Sequence, residues 1–396
     1  MEGLPVQTVN VNQLVDSVKD QVISWRRYLH QHPELSFHEE KTAQFVYETL
    51  QTFNNLELSR PTPNSVMARL IGAKPGKVLA IRADMDALPI EEANDLEYKS
   101  KNPGVMHACG HDGHTSMLLG TAKILSELQD EIHGEIRFLF QHAEEVQPGG
   151  AEDMVHAGVM EGVDMVIGQH LWSSMDTGKV GISYGPTMAA PDTFWITIHG
   201  VGGHAAVPQQ TVDSIAIGAQ VVTNLQHIVS RNIDPLDNLV VSVTQFHGGT
   251  THNVIPGTVE MQGTVRSFDP NLRAEAPQRM ERIIRGICDA HGATYTFRYE
   301  NGYRAVINDD NVTSVIEETV LEVFGAEAID RVRPSMGGED FSAFQQKAPG
   351  CFFYTGSGNA EKGTDFPHHH PNFNIDEDAL ERGVKMFVSA AFKLLA

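Results

Sequence analysis

The stretch KVLAIRADMD, residues 77–86, decides the fold, because an apolar run of strand length ends in two carboxylates. Such a run predicts a strand buried on both faces. EIRFLFQHAEE (135–145) and DMVIGQHLW (164–172) have the same form, while HTSMLLGTAKILSEL (114–128) and GGAEDMVHAG (149–158) predict helices. An amphipathic helix over residues 11–31 precedes them. Strands that alternate with helices predict an α/β fold with a mostly parallel central sheet.

A change of pattern near residue 187 predicts a second domain inserted into the first. TFWITIHG (193–200), LVVSVTQFHGG (239–249), VEMQGTVRSF (259–268) and TYTFRYE (294–300) predict strands, with helices over about 212–230 and 273–291. This order is typical of a small α+β unit with a partly antiparallel sheet. The first pattern then returns with a helix near 310–324, the strand CFFYTG (351–356) and a helix from residue 377. We predict a catalytic domain over 1–187 and 299–396, and an inserted domain over 188–298.

Composition excludes several classes of partner. The 396 residues contain 29 Lys and Arg against 51 Asp and Glu, a formal net charge of −22, which repels nucleic acids and anionic membranes. No apolar run approaches the ~18 residues of a membrane span, and MEGLPVQTVNVNQ lacks the basic and apolar regions of a signal peptide. Cys109, Cys288 and Cys351 are too few and too widely spaced for a disulfide framework. We therefore expect a cytoplasmic protein, with Cys288 and Cys351 in the core.

Ligand-type side chains follow each of the three predicted strands of the first domain. They are Asp84 and Asp86, Glu144 and Glu145, and His170, to which HACGHDGH (107–114) adds Cys109 and His111 just before a helix with Asp112 as its plausible N-cap. Ligands of open α/β sheets bind beyond the carboxyl ends of the strands. A thiolate beside imidazoles suits zinc, manganese, cobalt or nickel. The edge of the sheet is therefore a predicted metal site.

Each of these signals has a plainer interpretation when taken alone. A single Cys-x-His is more often a buried cysteine near surface histidines, and a Glu-Glu pair is usually a solvated loop. The tract FPHHHP (366–371) resembles a surface segment, although it follows a predicted strand. The G-x-S-x-G spelling at Gly181–Gly185 lacks the helix that a serine nucleophile needs, since Pro186 follows. Cys109 as a nucleophile with His111 stays open as an alternative.

An ordered set of motifs carries a resemblance through nearly the whole chain. It consists of RRYLHQHPELSFHEEKTA (26–43), RADMDALPI (82–90), MHACGHDGH (106–114), HAEE (142–145), GGHAAVP (202–208), HNVIPGTVEMQGTVRSFDP (252–270), MGGEDFSAF (336–344) and HHPNF (369–373). The set resembles the amidohydrolase branch of the aminoacylase and carboxypeptidase metallopeptidases, which includes hippurate hydrolase, N-acyl-L-amino acid amidohydrolase and auxin-conjugate hydrolases. The resemblance implies a zinc-peptidase-like catalytic domain with an inserted lid of the dimerisation type.

The resemblance also implies a role for each matching side chain. Two divalent ions, whether zinc, manganese, cobalt or nickel, would be held by Cys109, His111, Glu145, His170 and His369. Glu144 matches the general base, and Asp86 matches a carboxylate that orients a metal ligand. Two departures are His142, where the branch commonly has proline, and His368, where it commonly has leucine. The second departure leaves the choice among His368, His369 and His370 open.

Three residues of the inserted domain match positions that meet the substrate. His204 matches a histidine that contacts the reacting carbonyl oxygen, in several relatives from a neighbouring subunit, which implies a homodimer or higher homo-oligomer. Asn253 and Arg266 match positions that face the substrate and its carboxylate. Taken alone, a histidine such as His204 in a Gly-Gly-His loop more often lies in an exposed turn, and an arginine at a strand end such as Arg266 is more often a surface ion-pair partner.

The expected activity is metal-dependent hydrolysis of the amide bond of N-acetyl or aromatic N-acyl L-amino acids, by a metal-activated water with Glu144 as base. The alternative within the enzyme class is a dipeptidase or carboxypeptidase that acts on small peptides. The alternative outside it is a metal-dependent binding protein without turnover. Glu144 beside Glu145 speaks against the last of these, because binding alone needs only the metal ligand.

Overall fold

The structure is a computed structural model and describes residues 10–396. The signal-peptide prediction concerned residues 1–13, most of which lie outside this range. The α-helices are α1 (Val11–Gln31), α2 (Glu40–Gln51), α3 (His111–Glu127), α4 (Gly150–His156), α5 (Ser214–Arg231), α6 (Pro270–His291), α7 (Asp310–Phe324), α8 (Ser342–Gln345) and α9 (Asp378–Leu395). Short 3-10 helices lie at Gln129–Glu131, Pro208–Gln210, Ala326–Ala328 and Ala360–Lys362.

The strands are β1 (Leu56–Ser59), β2 (Val66–Ile71), β3 (Lys74–Asp84), β4 (His133–Gln141), β5 (Met165–Asp176), β6 (Val180–Ile182), β7 (Gly185–Met188), β8 (Ala190–His199), β9 (Gly203–His204), β10 (Leu239–His247), β11 (Val254–Ile255), β12 (Thr258–Ser267), β13 (Thr294–Glu300), β14 (Val306–Asn308), β15 (Ile329–Arg331) and β16 (Gly350–Gly358). The predicted helices and strands are present. The elements that were not predicted from the sequence are helices α2 and α8 and strands β1, β2, β6, β7, β9, β11, β14 and β15.

The chain folds into two compact units. The first runs to Thr187 and resumes over Ile307–Arg333 and Asp340–Ala396, while the second comprises Met188–Val306 and Pro334–Glu339. The second unit thus extends past residue 298, the predicted end of the inserted domain. Strand β13 pairs with β8 up to Glu300, and the buried Asp192 carboxylate accepts hydrogen bonds from Tyr299 Oη at 2.8 Å and Gly302 N at 3.0 Å.

A sheet of eight strands forms the centre of the first unit, in the order β1-β2-β4-β3-β5-β16-β6-β15. Strands β4, β3, β5 and β16 pair in parallel, which confirms the predicted α/β class, and antiparallel pairs occur only toward the edges. From Leu79 to Asp84 every residue of β3 is buried, as a central strand covered on both faces requires. Helices α1, α3 and α9 pack on one another over this sheet.

The strand ends bring the predicted site residues to one edge of that sheet. Strand β3 ends at Asp84, opposite Gln141 at the end of β4, so the two carboxylate-bearing segments leave the sheet side by side. His170 does not end its strand as predicted, since β5 continues to Asp176. Its pairing with β3 nevertheless stops at Gly168, which places His170 two residues beyond the last paired residue of β5.

Helix α3 begins two residues earlier than the N-cap prediction requires. Its N-cap is Gly110, whose φ of 91° is left-handed and favours glycine, and His111 is the first helical residue. The prediction of Asp112 as N-cap is therefore wrong. The Asp112 carboxylate instead accepts a hydrogen bond from Arg26 Nε at 2.9 Å in the core.

The second unit is built on a four-stranded sheet in the order β10-β12-β8-β13. Its pairings are all antiparallel, more so than the partly antiparallel sheet predicted. Helices α5 and α6 pack on it through a separate core that includes Val221, Met280 and Phe194. Over residues 10–396 none of the helices is both long enough and apolar enough to cross a bilayer.

Candidate metal centre and active site

The predicted metal ligands of the first unit converge on Cys109. Its thiol sulfur lies 3.6 Å from His170 Nε2. Two groups of three donors share this cysteine, each with its ligand atoms within 4.8 Å of one another: Cys109, His111 and His170, and Cys109, Glu145 and His369. A third group joins His111 to Glu144 and Glu145. Donors from four separated segments thus form one continuous cluster. The thiol of Cys109 belongs to two of its three-donor groups.

His111 is aimed into the cluster by Asp86. The imidazole Nδ1 lies 3.1 Å from Asp86 Oδ1. Its Nε2 is buried and has no hydrogen-bond partner among the described residues, the nearest carboxylate oxygens being 3.8 Å away on Asp84 and 3.9 Å away on Glu145. A histidine that binds a metal through one ring nitrogen commonly has a carboxylate hydrogen-bonded to its other ring nitrogen, which fixes the orientation of the ring. His111 and Asp86 have this arrangement.

The electrostatics of the cluster suit a cation. Burial by itself would lower the pKa of His111, but the charge of Asp84 and the hydrogen bond to Asp86 outweigh it and raise that pKa to about 10. Burial, followed by the charges of Glu145 and Glu144, raises the pKa of the Cys109 thiol well above its ordinary value. Protons held this tightly mark a site rich in negative donors, where a divalent ion can take their place. The donors present therefore fit a metal.

Glu145 is held at both its backbone and its side chain. Its amide nitrogen donates to Asp86 Oδ2 at 3.0 Å, and its Oε1 lies 3.2 Å from His369 Nε2. Glu144 is buried next to it and belongs to the group with His111. The adjacent glutamates therefore both reach the cluster, as the strand-end prediction requires.

The three consecutive histidines point in different directions. His369 has a left-handed φ of 65° and reaches Glu145, while its amide donates to Ala108 O at 2.8 Å. His368 Nδ1 lies 3.7 Å from Cys109 Sγ, with its ring beside Trp172. His370 stacks on Phe366, away from these groups. His369 and His368 are thus both near the donors, and only His369 completes a three-donor group among the described residues.

Asp84 and His114 form a supporting network. One carboxylate oxygen of Asp84 lies 2.6 Å from His114 Nδ1, and the other accepts from Arg82 Nη1 at 2.7 Å. His114 Nε2 accepts from Leu171 N at 2.8 Å. Burial opposes ionisation of Asp84, yet the charges of Arg82, His111 and His114 hold its pKa well below the ordinary value. Both side chains are thereby committed to protein partners, although Asp84 stands at a strand end.

Three further side chains support the site, and sequence reasoning assigned none of them a role. Ser36 Oγ donates to Asp86 Oδ2 at 2.7 Å, and Glu39 Oε1 accepts from Ala143 N at 2.7 Å. The Asp340 carboxylate accepts from Gln141 Nε2 at 2.8 Å. All of them lie in stretches that carry the family resemblance, SFHEEKTA and MGGEDFSAF, which was the available signal. Their partners are distant in sequence, so no local pattern reveals them.

The remaining predicted residues lie in the second unit. His204 in β9 pairs with Val254 in β11, which places Asn253 next to it; His204 and Asn253 are exposed. His204 Nδ1 accepts from Ala206 N at 3.0 Å. Arg266 on β12 is half-buried, with Nη1 donating to Met336 O at 3.3 Å and no carboxylate within 4.0 Å among residues 10–396. Arg266 is therefore not the surface ion-pair partner of the alternative interpretation.

The chain is similar to a family of peptidases, to characterised hydrolases and to solved structures. A profile described as peptidase family M20/M25/M40 matches residues 80–393. N-acyl-L-amino acid amidohydrolase of Geobacillus stearothermophilus is 72% identical over 300 residues, 76% of this chain and 81% of that protein. Thermostable carboxypeptidase 1 of Saccharolobus solfataricus is 44% identical over 382 residues, 96% of each chain. The solved YXEP protein of Bacillus subtilis, described as a dinuclear metal binding peptidase, has a TM-score of 0.83 at 35% identity and covers 96% of this chain and 99% of that one.

Proposed function

Since the chain belongs to peptidase family M20/M25/M40 and is a hydrolase of C–N amide bonds, we propose that it cleaves the bond between an acyl group and an L-amino acid. The observation that carries the proposal is the pair of three-donor groups that share Cys109, with the buried Glu144 beside them. The amidohydrolase of Geobacillus stearothermophilus, at 72% identity, supports N-acyl amino acids as the substrate class.

Two divalent ions would be held by Cys109, His111, Glu145, His170 and His369. A thiolate, imidazoles and a carboxylate suit zinc, manganese, cobalt or nickel. When bound, such ions supply Lewis-acid chemistry, which makes water more acidic and a carbonyl carbon more electrophilic. Asp86 keeps His111 oriented through its Nδ1, and so fixes which ring nitrogen faces the donors.

Glu144 would act as the general base. Its carboxylate takes a proton from the attacking water and later delivers it to the leaving amine nitrogen. The carboxylate of its neighbour Glu145 lies 3.2 Å from His369 Nε2 and is one of the proposed ligands, so the two carboxylates would have separate tasks. The burial of Glu144 limits competition from bulk water for this proton.

The second unit would supply the substrate contacts. Arg266 is half-buried and burial lowers the pKa of its guanidinium, although the nearby Asp192 opposes this. A cation that is partly desolvated and has no carboxylate partner among residues 10–396 can form a charge-assisted pair with the substrate carboxylate. Asn253 would face the substrate, and His204 would support the developing oxyanion, a contribution of roughly 3–4 kcal/mol for one donor in comparable sites.

Oligomeric state and location belong to the same proposal. The exposed His204 would enter a neighbouring subunit's site, which requires a homodimer or a higher homo-oligomer, measurable by light scattering. All three cysteines are free and buried, which supports a reducing compartment such as the cytoplasm. The zinc-peptidase-like domain at 1–187 and 299–396 and the lid at 188–298 stay predictions.

A second candidate activity is peptide hydrolysis from the carboxyl end. It is favoured by the carboxypeptidase of Saccharolobus solfataricus, which matches 96% of this chain at 44% identity. The same metal donors could act on either substrate, and Arg266 could bind the terminal carboxylate of a peptide as well as the carboxylate of an N-acyl amino acid. The two activities therefore differ in the size and charge of the group on the acyl side of the scissile bond.

The test is a panel of N-acetyl amino acids, hippurate, dipeptides and longer peptides, each assayed with and without chelator. We expect chelator-sensitive cleavage with the highest kcat/KM on an N-acyl amino acid, whereas a preference for peptides would select the second candidate. Failure to cleave any of them would contradict both. Glu144→Ala should abolish turnover and leave metal content unchanged, with the exposed Glu161→Ala as the matched control. Loss of metal in Glu144→Ala would contradict its role as base.

A further inference from the structure

A short segment before helix α2, residues Ser36–Glu39, reaches across to the turn that carries the paired glutamates. Glu39 is fully buried, and its Oε1 accepts a hydrogen bond from Ala143 N at 2.7 Å. Ala143 has a left-handed φ of 50°, which is strained for a residue with a side chain. Its carbonyl oxygen accepts from Gly150 N at 2.9 Å. Both backbone polar groups of the strained residue Ala143 are therefore hydrogen-bonded, and Glu39 accepts one of these two bonds.

Helix capping does not account for the buried carboxylate of Glu39. Glu39 occupies the N-cap position of α2, yet its side chain makes no capping bond there. Glu34 serves that helix end instead, since its Oε2 accepts from Thr42 N at 2.8 Å. Burial, with the charge of Asp86 second, raises the pKa of Glu39 to about 8. A carboxyl group kept in so unfavourable a place points to a role at the site.

The same segment anchors the other side of Glu144 through Asp86. Ser36 Oγ donates to Asp86 Oδ2 at 2.7 Å, and this oxygen also accepts from Glu145 N at 3.0 Å. The segment itself is fixed, because Asn64 Nδ2 donates to the carbonyl oxygen of Phe37 at 2.8 Å. The amides that precede and follow Glu144 are thus both bonded to carboxylates from outside the turn.

We propose that Glu39 is a positioning residue, which holds Ala143 in the left-handed conformation that turns Glu144 and Glu145 toward the metal donors. Ser36 contributes through its hydrogen bond to Asp86. The effect of Glu39 on catalysis rests on the proposed function, because it acts through Glu144 and Glu145. Its effect on the turn does not, because the hydrogen bond to Ala143 N is independent of any substrate. Glutamine can replace Glu39 in this role, since its amide oxygen is an equivalent acceptor, whereas alanine cannot.

The direct test is hydrogen–deuterium exchange, followed by mass spectrometry of peptides that cover residues 139–146, on full-length protein. We expect Glu39→Ala to speed exchange of this segment at least tenfold, and Glu39→Gln to keep it within about threefold of wild type. The matched control is Glu40→Ala, which removes an exposed glutamate one position along and should change nothing. Unchanged exchange in Glu39→Ala would overturn the proposal. If Glu39→Ala does not fold, loss of protection in Glu39→Gln would overturn it and retention would support it.

The second test asks whether Glu39 acts through Ala143. Glycine adopts a left-handed φ without strain, so Ala143→Gly should reduce the dependence on Glu39. We expect Glu39→Ala to lower kcat at least tenfold with KM within threefold, and to lower it less in the Ala143→Gly background. Equal losses in both backgrounds would overturn the mechanism. A wild-type enzyme inactive on every amide would refute the proposed function alone, because the exchange experiment still decides the role of Glu39.

Discussion

Replacing Arg26 by methionine should strongly destabilise the first unit. The guanidinium is fully buried; Nε donates to Asp112 Oδ2 at 2.9 Å, and Nη2 donates to Asn374 Oδ1 at 2.8 Å. Methionine fills much of the same space and removes the charge. Asp112 would then stay buried without its arginine, beside His30, whose Nδ1 lies 2.8 Å from the same oxygen.

The expected magnitude follows from the burial of the pair. Burial opposes ionisation of Asp112, but the charge of Arg26 and the hydrogen bond from His30 hold its pKa far below the ordinary value. Removing one partner of such a pair leaves an uncompensated charge in the core, which costs about 3–5 kcal/mol. For a domain of this size each kcal/mol corresponds to about 2–4 °C in Tm, so the midpoint should fall by roughly 6–20 °C.

The adjacent Arg27 provides a matched control. Its Nη2 pairs with Glu377, to which Arg26 also donates at 3.3 Å, but the Arg27 side chain is 45% exposed. An exposed pair of this kind contributes about 0–1 kcal/mol, so Arg27→Met should lower the Tm by no more than about 4 °C. Both variants are compared by thermal unfolding followed by circular dichroism, at one pH and one metal concentration.

A double-mutant cycle shows whether the buried pair is the cause. Arg26→Met and Asp112→Asn remove the same ion pair, so the double variant should lose clearly less stability than the sum of the single losses. Additive losses would refute the reasoning, because they would mean that each residue acts through other contacts. Equal falls in Tm for Arg26→Met and Arg27→Met would refute it as well.

Substitutions at other positions test separate parts of the structure. Asp86→Ala should weaken metal binding by about 10–100-fold in a competition titration, because the carboxylate behind the ligand imidazole is lost, and unchanged affinity would contradict that role. Because the pKa of Glu39 is raised to about 8, its ionisation destabilises the folded state progressively as the pH rises from about 4.5 to 8. The free energy of unfolding of Glu39→Gln should therefore rise relative to wild type across that range, by at most about 1.4 kcal/mol per pH unit. A difference that stays constant with pH would contradict the shift. Gly113→Ala should lose about 1–3 kcal/mol of unfolding free energy, because the new methyl group clashes with Leu171. Gly286→Ala should gain about 0.5–1 kcal/mol in the same thermal unfolding experiments, because this exposed position in helix α6 leaves the methyl group free of clashes.

Much of the fold could be predicted because its signals are local. An apolar run such as residues 78–81 predicts a central strand, and the sheet, helix α1 and the two long helices of the second unit are where the periodicity indicates. Strands β1 and β2, of four and six residues, alternate between more and less buried positions, a strand signal that the prediction did not use. The contact of the buried Asp192 with Gly302, beyond the last strand of the second unit, is also not visible in any local pattern.

For the site, sequence determined which side chains meet, since the ends of parallel strands gather at one edge whatever the loops do. Cys109 and His111 were candidate donors because they lie just before a predicted helix, and their roles as ligands stay predictions. Only the tertiary structure decided which of the neighbouring histidines faces Glu145, that Asp84 is committed to protein partners, and that Glu39 holds the strained turn. These outcomes depend on the direction of single hydrogen bonds between residues that are far apart in the chain, and no local pattern encodes that direction.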